Sequence, residues 1–384
     1  MESKTPKFDS PLVVTVTILL VLGVVMVYSA SSFKAQETYG DSHYFLKHHL
    51  YRVGVGFVLM LIVAQINYRT WLNFSPVFLL LCLLALSFTL VSDSVPVIRG
   101  SRRWITIGFL TFQPSDFARL ALILFLSLSL GAANFVTRKS VQSFLFHLAV
   151  VGCVVVPVIA QPDIGSALLI GFISLTIIFI AGERLRHLLW LGLTTAPFFL
   201  LFILRDGYQK IRIMKFIRSF KGESLDWQPL QAFIALGNGS VWGLGLGGSR
   251  QKYHFLPDPF TDFIFAIVGE EMGFVGTLLV LILFIVLIYS GFKIAMQAPD
   301  FQGKILGLGM ITNIALYACA SMAVVVNFLP TTGIPLPFLS YGGSALVVNL
   351  FGVGVLLNIA EQSRQEHLLR PGGYQQRRVA RHHG

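Results

Sequence analysis

The residues best suited to chemistry lie in one stretch, YHFLPDPFTDFIFAIVGEEMGF, from Tyr253 to Phe274. A polar, proline-kinked segment gives way there to a long apolar run, and Asp262 sits at the junction. A carboxylate at the mouth of a membrane span is costly to desolvate, so it marks a functional site by default. Its ionised form only accepts, which suits a base or a cation's partner. The competing reading is a helix cap, because Asp is a favoured N-cap and its charge suits the helix dipole. Asp258, four residues earlier, is the second carboxylate of the loop. Glu270 and Glu271 lie about 12 Å or more further along a helix that rises about 1.5 Å per residue, so they pair inside the bundle instead.

Three other polar or irregular stretches accompany Asp262: GSRRWITIGFLTFQPSDFAR (Gly100 to Arg119), QPD (Gln161 to Asp163) and LPTTGIPLPFLSYGGS, ending at Ser344. From Asn327 to Ser344 there are three prolines and three glycines, which cannot continue a lipid-exposed helix. Such backbone is tolerated at membrane depth only where it is buried in protein or lines a cavity. Carboxylates, cations and unwound backbone converging on one cavity make a binding site. Asp163 also fits a tight-turn role through its own side-chain hydrogen bonds.

The elements that must position these residues are membrane helices. The chain has 384 residues, 55% of them hydrophobic and 12% charged, with a mean hydropathy of +0.74. That composition excludes a soluble domain and reads as an all-α integral membrane protein. Apolar runs at roughly 20 residues each predict about ten spans, near 11–30, 48–66, 71–92, 117–134, 141–160, 164–181, 187–204, 263–290, 303–328 and 344–360. The first is too long for a cleaved signal and reads as a retained span. The domain reading is one polytopic unit over 1–361, with a large loop at 205–262, and a basic tail over 362–384. Cys82, Cys153 and Cys319 all fall in apolar runs and read as small core residues. The nine histidines show no zinc-ligand spacing.

Lys4, Lys7, Arg69, Arg138, Lys139, Arg184, Arg186, Lys293, Lys304 and the arginines of the tail share the side of the termini. The positive-inside rule therefore expects cytoplasmic termini and puts Asp262 on the outer face. Arg99, Arg102, Arg103 and Arg119, and the set around Arg212, break that rule. Cations on the disfavoured side are what a site for an anionic head group needs, the alternative being plain lipid-phosphate anchoring. The net charge of +11 points the same way. Dispersed among spans, these charges form no nucleic-acid surface. Residues 208–220, YQKIRIMKFIRSF, predict a short interfacial amphipathic helix. The run GNGSVWGLGLGGSR (Gly237 to Arg250) matches no Walker motif, and its glycines serve tight turns and close backbone packing.

With these four stretches the chain resembles the SEDS family (shape, elongation, division and sporulation), membrane glycosyltransferases that polymerise peptidoglycan, over nearly its whole length. QKYHFLPDPFTDFIFAIVGEEMGF and PTTGIPLPFLSYGGS look more like the family's division branch than its elongation branch. The resemblance implies an inner-membrane enzyme with its site on the outer face. A glycan on undecaprenyl pyrophosphate would be the donor and lipid II the acceptor. The β-1,4 bond would form with inversion. The family's essential aspartate falls on Asp262, as the base that takes the acceptor hydroxyl's proton. The cationic role would fall on Arg102, Arg103, Arg119 and Arg212. Asp116, Asp163, Lys252, Asp258, Thr332, Ser340, Tyr341 and Ser344 complete the expected substrate-contacting set.

Two departures stand out. The family's FQPSEFAK is FQPSDFAR here, so Asp116 and Arg119 keep the charges but change arm length and fork. Its LPEAHTD is LPDPFTD, which loses a histidine at Phe260 and gains Pro259. The resemblance also implies a class B penicillin-binding transpeptidase and other divisome or elongasome proteins as partners. It implies no certain cofactor, although hydrated Mg²⁺ or Mn²⁺ beside the pyrophosphate is compatible with such a site. The alternative functions are a flippase for lipid II and a scaffold that would leave Asp262 dispensable.

Overall fold

A computed structural model describes residues 10–93, 95–96, 101–107, 110–132, 141–194, 207–223, 225–253 and 255–369. Arg99, Arg138, Lys139, Arg205, the second half of the expected 187–204 span and the tail from Arg370 lie outside them. The helices are α1 (Ser10–Tyr39), α2 (Tyr44–Gln65), α3 (Tyr68–Val91), α4 (Pro114–Leu130), α5 (Val141–Ala160), α6 (Ile164–Ile180), α7 (Gly207–Phe220), α8 (Trp227–Gly239), α9 (Ile264–Met296), α10 (Phe301–Val325) and α11 (Gly343–Leu369). Residues 185–194 are also helical. Of these, α1, α2, α3, α5, α9, α10 and α11 are long and apolar enough to cross a membrane, while α6 is apolar but shorter. The protein is a multi-pass membrane protein.

Local chemistry sets the ends. Pro114 begins α4, where a missing amide hydrogen costs nothing, and Gln113 before it is extended, as a residue preceding proline must be. Asp163 caps α6 by accepting from the Ser166 amide, and Asp300 caps α10 from that of Gly303. Between α2 and α11 small residues let the helices touch. A Cβ on Gly56 would meet Leu350 at 2.6 Å, and one on Gly354 the Met60 carbonyl at 2.6 Å.

Three expectations change. Within the stretch read as irregular, β-branched residues build a two-stranded antiparallel hairpin, β1 (Ile105–Ile107) with β2 (Leu110–Phe112), Thr106 facing Thr111. The fold is therefore helical with one small hairpin. Only Cys82 is buried; Cys153 and Cys319 are exposed, since in a membrane bundle an apolar run is as often lipid-facing as core. Residues 362–369, assigned to the tail, continue α11 as helix.

A candidate active site at one end of the bundle

Asp262 immediately precedes Phe263, the N-cap residue of α9, which contributes no side-chain cap. Its carboxylate is steadied locally: Thr261 Oγ1 lies 2.7 Å from Asp262 Oδ1 and 2.9 Å from the Asp258 carbonyl. Asp258 has φ +49°, a left-handed conformation that Asp tolerates better than most residues. It is fixed by Lys34 of α1, whose Nζ donates to Oδ1 at 2.6 Å. Phe260, at the lost histidine, joins the loop to two other elements. Its carbonyl accepts from the Tyr341 amide at 2.9 Å, and its ring lies 4.6 Å from Phe45 and 5.6 Å from Tyr341. Burial raises the Tyr341 phenol above its ordinary range, against the pull of Arg52, so its hydroxyl remains a neutral donor. The Arg52 guanidinium stands 4.6 Å over that ring.

The 327–342 connection closes over the carboxylate. Gly333 has φ +74°, and a Cβ there would fall 3.9 Å from Asp262 Oδ2, so glycine serves both the turn and the approach. Thr332 sits on Gly165 at the start of α6; a Cβ on that glycine would lie 2.8 Å from the threonine's. Ser340 accepts from the Leu336 amide at 2.8 Å and so folds its own loop.

A second chain of bonds runs from here to the hairpin. Ser344 donates to Asp116 Oδ2 at 2.6 Å and accepts from the Gln113 amide at 3.1 Å. Gln113 Nε2 reaches Asp163 Oδ2 at 2.9 Å, and Arg103 lies 3.6 Å from Asp163 Oδ1 while donating to the carbonyls of Gln161 and Pro162. Arg119 is 1% exposed, 3.5 Å from Asp116 and stacked 3.8 Å over Tyr317, so the pair keeps its signs in a bracing position. Replacing Ser344 by Ala leaves buried Asp116 and the Gln113 amide short of a partner. The expected loss is about 1–3 kcal/mol, read as a lower unfolding midpoint in detergent.

Thus Asp262, Asp258, Thr332, Ser340, Tyr341, Ser344, Asp116, Arg119, Asp163 and Arg103 occupy one end of the bundle. Arg102 stands at its edge, 2.7 Å from Asp93, and Arg212 lies on α7, half-buried. Lys252 does not join the group. It is buried and donates to the Gly247 carbonyl at 2.6 Å and to Glu271 at 3.2 Å. No set of three or more His, Cys, Asp or Glu among the described residues forms a metal cage.

A cavity of about 620 Å³ opens beside the hairpin, between α2, α3 and the start of α11. Lys47, His48, Tyr51 and Arg52 form its polar wall, and Phe78, Leu81 and Cys82 its apolar one. The sequence reading counted Arg52 into the 48–66 span and gave Lys47, just before it, no role. Lys47, His48, Tyr51 and Arg52 form two adjacent pairs four residues apart, which puts them on one helical face and was the available signal.

The family profile described as "Cell cycle protein", FtsW/RodA/SpoVE, matches residues 10–365. The chain belongs to the FtsW/RodA/SpoVE family. Stage V sporulation protein E of Bacillus subtilis is 38% identical to it over 365 residues, covering 95% of this chain and 100% of that protein. The probable peptidoglycan glycosyltransferase FtsW of Geobacter metallireducens is 34% identical over 359 residues, covering 93% and 96%. Among solved structures, the rod shape determining protein RodA of Thermus thermophilus aligns with TM-score 0.70 and 25% identity, covering 94% of this chain and 99% of that one. A chain from a structure titled as the coordination of polymerization and crosslinking by a peptidoglycan synthase complex aligns with TM-score 0.76 and 25% identity, covering 94% and 99%. As an FtsW-type SEDS member, the chain is thus related to proteins named for peptidoglycan glycosyltransfer, cell division and cell shape.

Proposed function

We propose that this family member is a peptidoglycan glycosyltransferase that joins lipid II to a glycan strand held on undecaprenyl pyrophosphate. One observation carries the reading. A carboxylate, held by Thr261 and faced by the backbone of Gly333, stands beside a loop that leads through Tyr341 to cationic Arg52. Asp262 takes the proton of the acceptor sugar's 4-hydroxyl as that oxygen attacks the donor's anomeric carbon. The bond to pyrophosphate breaks as the new one forms, which inverts the centre. Pyrophosphate is a good leaving group, so no second carboxylate need act as acid. Arg52 and Lys47, which line the cavity, are the cations this reading assigns to its charge, and fixed cations in a low-dielectric site stabilise what develops there. A hydrated Mg²⁺ or Mn²⁺ would use Asp262 or Asp258 together with phosphate oxygens, since such ions need few protein ligands.

The partner in this proposal is a class B transpeptidase with one membrane anchor, and the site faces the outer side of the inner membrane. The test is glycan-strand synthesis from purified lipid II, with and without the cognate transpeptidase. Polymer that increases with the partner supports both parts of the proposal. Intact lipid II movement across vesicles without polymer would favour transport, although irregular backbone crowding one end of the bundle speaks for chemistry.

A further inference from the structure

Helix α8 and the glycine-rich turn after it do more than connect. α8 starts beside the Asp262 loop, where Trp227 Nε1 donates to the Phe255 carbonyl at 2.8 Å. It then runs back along the first turns of α9 for about 20 Å. At its far end, Gly239 packs so closely that a Cβ would fall 1.8 Å from the Gly269 carbonyl oxygen. Here α9 itself is interrupted, at Gly273 with φ 67° and ψ −164°. The turn fills the break. The carbonyls of Ser240 and Val241 accept from the amides of Phe274 and Val275 at 2.9 and 3.2 Å, and the amides of Leu244 and Gly245 donate to the backbone carbonyls of Glu270 and Glu271 at 2.9 and 3.0 Å. Non-helical backbone at membrane depth requires this kind of satisfaction.

The tip of the turn is apolar and uncovered. Trp242 is 80% exposed and Leu246 65%, and below them α9 presents Phe274 at 61%. No charged residue occurs from Trp227 to Ser249. The patch is continuous with the apolar run of a helix long enough to span a bilayer, and tryptophan favours the boundary of head groups and acyl chains.

We propose that the 241–246 turn dips into the phospholipid leaflet next to the site, with Trp242 at that boundary, and so fixes the height of Asp262 above it. From Gly273 to Asp262 the chain rises about 15 Å along helix. Ser249 bonds to Glu270, and Lys252 to Glu271, which tie the turn to that helix. The height claim, unlike the insertion claim, rests on the catalytic reading above.

The experiment compares tryptophan fluorescence of the wild type and Trp242→Phe in phosphatidylcholine nanodiscs, with bromine near the head-group or the methyl end of the acyl chains. The difference signal should be quenched by shallow bromine more than by deep bromine, and should escape aqueous iodide. Quenching by iodide alone would put the turn in water, and escape from all quenchers would put it under protein; either result overturns the proposal. None of these readings depends on activity. For height, Leu246→Asp should lower the turnover number with lipid II in nanodiscs while sparing it in detergent micelles. Equal losses in both would overturn the height claim. A wild type that makes no polymer would sink the catalytic reading and leave the quenching result standing.

Discussion

Replacing Asp262 by Asn is expected to cut glycan-strand synthesis by about 10²–10⁴-fold, the usual contribution of a positioned general base. That is roughly 3–5 kcal/mol of barrier. The substitution is nearly isosteric, and its amide oxygen still accepts from Thr261, 2.7 Å from Asp262 Oδ1 in the native protein. Folding should therefore survive, with an unfolding midpoint close to wild type. Residual synthesis would come from cations near the leaving group, which this change does not touch. The measurement is the single-turnover rate from purified lipid II in the presence of the transpeptidase. Equal rates from both proteins would remove Asp262 from catalysis and turn attention to Asp258. That residue is less suited, because Lys34 already engages its carboxylate at 2.6 Å.

How much of this was legible in the sequence depends on the kind of residue. Apolar length announces a membrane helix directly, and seven of the ten expected spans coincide with described helices long and apolar enough to cross a membrane. The irregular stretch before Ser344 was legible because proline and glycine cannot continue a lipid-exposed helix. The hairpin was not, since its strands are three residues each and the cue was masked by flanking arginines and glycines. Partners across the fold were hidden for a different reason. Nothing local links Lys34 to Asp258 or Ser344 to Asp116, separated by 224 and 228 positions. The cations also divided in a way that charge counting cannot show. Arg103 and Arg119 are engaged by carbonyls, a carboxylate and an aromatic face away from the cavity, whereas Lys47, paired with Asp41, and Arg52, over the Tyr341 ring, line it. A buried arginine braces; one at a cavity wall can meet a ligand.

The same distinction applies to Lys252, which pairs with Glu271 where neither side chain is appreciably exposed, at 4% and 0%. Changing Glu271 to Ala should cost about 3–5 kcal/mol, because it strands an ammonium away from water. Ser29 of α1 would lose its acceptor too; its hydroxyl now lies 2.6 and 2.7 Å from the two carboxylate oxygens. Against a total stability on the order of 5–15 kcal/mol, that loss should show as poor yield and a much lower unfolding midpoint in detergent. Glu270 cannot substitute, being engaged by Ser249, Asn238 and the amides of Arg250 and Gln251. The discriminating protein is the double variant, Glu271→Leu with Lys252→Met, in which no charge remains to be stranded. Buried ion pairs replaced by apolar residues of similar volume are often neutral, so most of the loss should be recovered. A double variant as unstable as the single one would mean that the carboxylate matters through Ser29 and through the Ser249 amide, which donates to Glu271 Oε1 at 3.3 Å, and that the lysine contributes little. Recovery would instead show that the single variant's loss comes from the stranded ammonium, the apolar replacements holding the same contact without charge.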